Sequence, residues 1–108
     1  MRHSSEQRAL EHYRLRFYRI LGANVWIAGY ELDLIVRRGR TVAFVEVKSK
    51  HGDGYGDPLE MVTPEKMRRI RAAAEAWLAA HPEHEGCQVR FDVVTERAGS
   101  LERLRDAF

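Results

Sequence analysis

Two runs, ELDLIV at residues 31–36 and TVAFVEV at 41–47, separated by RRGR, constrain this chain more than any other feature. Val, Ile, Leu and Phe dominate both, as in strands, and four intervening residues that include a glycine suit a tight hairpin. A charge that faces a core costs several kcal/mol unless it is paired, neutralised or bound to a metal. Yet Glu31, Asp33, Glu46 and Lys48 interrupt these runs. If Arg38 and Gly39 are the central turn residues, Arg37 faces Arg40, Glu31 faces Glu46 and Asp33 faces Phe44. Asp33 and Glu46 then become diagonal neighbours on one face, about 7–8 Å apart. Lys48 falls on the same face by the strand period of two.

The flanking segments supply the rest of an α/β pattern. Leu10, Tyr13, Phe17, Ile20 and Leu21 recur at helical spacing, with Ser4 or Ser5 placed to cap and Gly22 placed to stop, so one long amphipathic helix is expected here. Glu6, four residues before Leu10, either extends its inward stripe or is a first-turn acid favoured by the helix dipole. A short strand is expected at 24–28. The stretch KHGDGYGDPLEM reads as a glycine-rich loop overhanging the strand ends, and His51 within it could assist chemistry. TPEK then opens a second helix, capped by Thr63 with Pro64 in its first turn, and Met67, Ile70, Ala74, Trp77 and Leu78 form its inner face until His81-Pro82 ends it. CQVRFDVV supplies another strand, whereas LERLRDAF carries no clear pattern.

One domain over residues 1–108 is expected, large enough to bury a core without disulfides. The lone Cys87 has no partner for a disulfide and no Cys/His cluster suggests zinc, so it is read as packing in a reduced, cytoplasmic protein. No stretch approaches the roughly 18 apolar residues of a membrane span, and the charged N-terminal segment lacks an apolar signal core. The formal charge of +2 is too small to announce a polyanion partner, which leaves the question to local patches.

Phosphodiester hydrolysis needs neutralised phosphate charge, an activated water and help for the leaving oxygen. Hard cations held by carboxylate oxygens supply most of this. Asp33 and Glu46 suit Mg²⁺ or Mn²⁺, and Lys48 could steady charge in the transition state. The plainer alternative is a solvated face on which Glu46 pairs with Lys48. Lys66, Arg68, Arg69 and Arg71 near the start of the second helix either meet DNA phosphates, with Arg37, Arg38 and Arg40 at the hairpin tip extending that surface, or form a solvated helix face.

The run YELDLI, VAFVEVKSK and RFDVV resembles the uncharacterised protein family 0102, the YraN-like family, in the restriction-endonuclease-like superfamily that also holds archaeal Holliday-junction resolvases. The likeness extends from about Glu6 to Phe108. It implies an αβββαβ nuclease core, a mixed central sheet flanked by two helices, with Asp33, Glu46 and Lys48 in the D…E-x-K motif and Glu6 as a supporting metal ligand. It also implies branched or otherwise structured DNA as the substrate and a homodimer as the assembly. Ser5 and Tyr30 stand where relatives usually carry glycine. The competing expectation is a non-catalytic nucleic-acid-binding module, or an interaction protein, that retains the nuclease fold.

Overall fold

A computed structural model describes residues 4–49, 62–97 and 99–108. The chain runs α1 (Ser5–Arg14), β1 (Arg19–Ile27), β2 (Tyr30–Arg38), β3 (Thr41–Ser49), α2 (Pro64–Ala79), a 3₁₀ turn (Pro82–His84), β4 (Gln88–Arg97) and β5 (Ser100–Leu104). The strands form one sheet in the order β1-β2-β3-β4-β5. β3 and β4 are parallel and every other pair is antiparallel, so the sheet is mixed, with α2 in the crossover that parallel strands require.

Strand alternation sorts the core into two layers. Leu34, Val36, Ala43, Val45 and Val94 face α1, which buries Ala9 and Tyr13 against them. Ile35, Val42, Phe44 and Val93 face α2, which buries Ile70, Ala73, Ala74 and Trp77. The Phe44 and Trp77 rings meet edge to face at 5.9 Å, and truncating either aromatic would cost about 3–5 kcal/mol. α2 starts as its sequence dictates: Thr63 caps it, its side chain accepting the Lys66 N–H, and Pro64 occupies the first turn. Cys87 packs half-buried against this layer. Among the described residues no helix is long and apolar enough to cross a membrane.

Two expectations are corrected. The first helix stops at Arg14 instead of running to Leu21. Phe17 turns the chain with φ of 69°; its N–H bonds the Arg14 carbonyl and the Tyr18 N–H bonds the Tyr13 carbonyl, the paired closure of a Schellman turn. Tyr18 folds its ring back on Tyr13, 5.0 Å away and perpendicular. Ile20 and Leu21 consequently belong to β1, which is longer than the expected 24–28 strand.

Secondly, β2 and β3 are displaced by two residues from the expected register: Arg38 pairs with Thr41 and Leu34 with Val45. The central turn residues are therefore Gly39 and Arg40. Gly39 has φ of 60° at the first central position, where a type II′ hairpin turn requires glycine. The tail, which carries no clear pattern in sequence, forms a fifth strand. Gly99, with φ of 79°, reverses the chain, and Leu101 and Leu104 pair with Glu96 and Val93. Phe108 then stacks on Phe91 at 5.1 Å.

Candidate functional site

A two-residue displacement preserves strand parity, and by that count Asp33 and Glu46 become opposite instead of diagonal neighbours; Leu32 packs in the α2 layer and Leu34 in the α1 layer, so regular alternation breaks at Asp33. The β2–β3 ladder ends at Leu34 and Val45, and continuing its count sets Asp33 opposite Glu46. Where the pairing stops, the Asp33 side chain takes over: Oδ2 accepts the Val47 N–H at 2.9 Å. Glu46 is buried, with 6% of its surface exposed. Its Oε2 lies 3.2 Å from Lys48 Nζ and accepts the Tyr30 hydroxyl at 3.2 Å. Asp33 Oδ1 and Glu46 Oε1 stand outside these contacts.

The electrostatics are those of crowded acids. Burial, then the Glu46 charge, pushes the Asp33 carboxyl up to about 7. Burial and the same Glu46 charge also push the Tyr30 hydroxyl well above its ordinary range. For Lys48, burial favours the neutral form, but contact with Lys66 and the Glu46 charge outweigh it and the ammonium is held on. Lys66 is lowered in turn by its contact with Lys48. A carboxylate that resists ionisation beside a second one is relieved when a cation enters. The donor set fits a hard cation that Mg²⁺ exemplifies, which is commonly held by one or two carboxylates and completes its shell with water and substrate phosphate.

The expected residues are distributed unequally around this pair. Lys66, in the first turn of α2, reaches Lys48. Glu6 does not extend the inward stripe of α1: it is exposed in the first turn, and its Oε1 accepts from Asn24 Nδ2 at 3.1 Å. Asn24 lies between the pairs Ala23–Leu34 and Val25–Leu32, hence beside Asp33. The Glu6 charge contributes to the rise of Asp33, yet among the described residues no three acidic, histidine or cysteine side chains gather closely enough to hold a metal. Arg69 pairs with Glu65 at 2.9 Å on the exposed side of α2, and Arg68 is exposed nearby. Arg71 lies over the Phe91 and Phe108 rings. Arg38 belongs elsewhere: five residues along β2 separate it from Asp33, about 17 Å, and Arg37 and Arg40 share its end of the sheet. The glycine-rich loop and His51 lie outside the described residues.

Two contributors escaped sequence reasoning. Tyr30 was legible only as a bulky residue in a glycine position, and its bond to Glu46 joins residues of two different strands. Asn24 left a faint signal, since Asn tolerates the left-handed conformation it adopts here, φ 54°.

Residues 5–95 match the family described as Uncharacterised protein family UPF0102. Similar proteins, each named only as a UPF0102 protein, include one from Alkalilimnicola ehrlichii, 42% identical over 103 residues that cover 95% of this chain and 82% of the relative. One from Mycolicibacterium vanbaalenii is 44% identical over 95 residues, covering 87% and 77%. One from Rhodococcus opacus is 46% identical over 89 residues, covering 77% and 75%.

Proposed function

Because this chain belongs to the uncharacterised protein family UPF0102, whose name carries no activity, we propose its function from the site itself: metal-dependent hydrolysis of phosphodiester bonds in DNA, with branched or structured DNA as the substrate class. The observation that carries this reading is the buried Glu46 set beside Asp33 where β2 and β3 part, with Lys48 held at 3.2 Å from Glu46.

Asp33 and Glu46 would hold Mg²⁺ or Mn²⁺. When bound, such a cation neutralises phosphate charge and activates the attacking water. Lys48 adds positive charge where the pentavalent phosphate becomes more negative, a contribution worth about 10²–10³ in rate for a single donor. Tyr30 fixes the Glu46 carboxylate, and Lys66, whose charged form is disfavoured by its contact with Lys48, helps hold the proton on Lys48. Arg68 and Arg69 on α2 extend the positive charge along the exposed helix, a surface suited to DNA phosphates. The branched substrate class and the homodimer rest on the resemblance to junction resolvases.

The test is cleavage of linear, single-stranded, flap and four-way-junction DNA with and without Mg²⁺ or Mn²⁺ by the wild type, Lys48→Ala and Glu46→Gln. Metal-dependent cleavage should be lost in both variants, with metal binding kept in Lys48→Ala and lost in Glu46→Gln. Equal rates in all three would place the activity elsewhere. Absence of cleavage by the wild type on every substrate would favour a non-catalytic binding module.

A further inference from the structure

At the opposite end of the sheet, the α1–β1 turn puts two large apolar side chains into water: Leu15 is 77% and Phe17 87% exposed. Phe17 holds φ of 69°, a conformation rare for a bulky residue, and the turn keeps it there by backbone hydrogen bonds while its ring stays uncovered. The ring lines a groove of about 380 Å³ with Arg19, Arg37, Arg38 and Gly39.

Two arginines of this groove are oriented by the backbone. Arg37 Nε donates to the Gly39 carbonyl at 2.8 Å and Arg38 Nη1 to the Arg16 carbonyl at 3.1 Å. Arg38 also lies over the Tyr18 ring, 4.6 Å from its centre, and Arg37 Nη1 meets His84 Nδ1 at 2.8 Å. Among the described residues no carboxylate stands at salt-bridge distance from Arg19, Arg37 or Arg38. A guanidinium carries five N–H donors, so these contacts orient Arg37 and Arg38 and leave donors for an anion, with Arg19 exposed beside them.

Fixed, uncompensated arginines beside an uncovered aromatic ring form the pairing that binds single strands, with phosphates on the cations and a base on the ring. In a duplex both faces of each base are occupied by neighbours, so Phe17 selects for an unpaired base. A planar bilayer could meet Leu15 and Phe17, but backbone-oriented guanidiniums beside a single uncovered ring suit a strand's phosphates and one base. We propose that this groove is a second nucleic-acid-binding surface, which takes an unpaired segment with its phosphates on Arg19, Arg37 and Arg38 and one base on Phe17. It lies about 17 Å along β2 from Asp33 and does not depend on whether Asp33 and Glu46 support hydrolysis.

The test is fluorescence anisotropy in EDTA and low salt, using oligodeoxythymidine and a duplex of equal length. Phe17→Ala should weaken single-strand binding by about five- to hundredfold and leave duplex binding unchanged, while Phe17→Trp retains the wild-type affinity. The double variant Arg19→Gln, Arg38→Gln should weaken binding and flatten its salt dependence. Thermal melts check that each variant is folded. The proposal fails if Phe17→Ala binds the oligonucleotide as tightly as wild type, or weakens duplex binding equally. It also fails if wild type ignores the oligonucleotide, and Phe17-dependent binding to phosphatidylserine vesicles in that case would reassign the groove to an anionic membrane.

Discussion

The Asp33 carboxylate accepts the Val47 backbone N–H at 2.9 Å, with Asp33 one residue and Val47 two residues beyond the last β2–β3 pair. One side chain therefore closes the strand junction and supplies acid to the site. Burial and the Glu46 charge raise its carboxyl from 3.8 to about 7, so the folded protein keeps a proton that the unfolded chain releases. Across that window stability must fall as pH rises. Asp33→Asn retains an oxygen for the Val47 N–H and removes the charge. We expect the variant to be more stable than the metal-free wild type by about 1–2 kcal/mol near pH 8, a figure reduced because solvent still reaches the group. Urea midpoints for both proteins across the pH range check this; a pH-independent difference would contradict it.

Divalent cations should reverse that penalty. Mn²⁺ at about a hundredfold excess over its dissociation constant should add about 2.7 kcal/mol to the wild type, read as a rise in melting temperature. Glu46→Gln should lose the rise and Lys48→Ala should keep it, since the lysine supplies charge and no ligand oxygen. A rise that survives in Glu46→Gln would locate the cation elsewhere.

Beneath α1, Asp92 is fully buried. Its carboxylate accepts from Arg90 Nε and Nη2, both at 2.9 Å, from the Tyr13 hydroxyl at 2.6 Å and from the Asp106 N–H at 3.0 Å. Asp92→Ala would leave the Arg90 guanidinium without its counter-ion in the interior and should cost about 3–5 kcal/mol. Chemical denaturation measures the loss, and a cost under 1 kcal/mol would mean that water or a neighbour replaces the carboxylate.

Ala28 and Gly29 join β1 to β2 with φ of 53° and 75°, both left-handed, between the paired Ile27 and Tyr30. Such a turn prefers Asn at the first position. Ala28→Asn should stabilise the protein by about 0.5–1 kcal/mol, visible as a higher melting temperature with an unaltered response to Mn²⁺. A neutral or lowered melting temperature would show that the turn gains nothing from Asn.

The hairpin of β2 and β3 was legible because its composition indicates two strands joined at a glycine, and Asp33 still comes near Glu46 because the actual register differs from the expected one by a full strand period. α2 was legible because Thr63, Pro64 and the Ile70, Ala74 and Trp77 stripe all indicate the same helix. The end of α1 was hidden: Phe17, Ile20 and Leu21 continue its spacing, and the chain reverses at a phenylalanine, with no glycine to announce it. β5 was hidden because its charges alternate irregularly and its pairing with β4 is decided by neighbours. The approach of Lys66 to Lys48 and of Tyr30 to Glu46 arises only when separate elements are assembled, which no local pattern encodes.

The parallel ladder between β3 and β4 also sets an order of events during folding. β1, β2 and β3 are linked by turns of two residues, Ala28–Gly29 and Gly39–Arg40, whereas Val45 meets Asp92 only after the whole α2 crossover has been closed. Short hairpins form within microseconds, and contacts distant in sequence bear the entropy of a long loop first. Asp33 and Glu46 can therefore come together early, on a nascent β2–β3 hairpin, well before β4 and α2 arrive to enclose them. The acidic pair is assembled by the fast part of the chain, and the shelter that raises the Asp33 carboxyl is completed by the slow part.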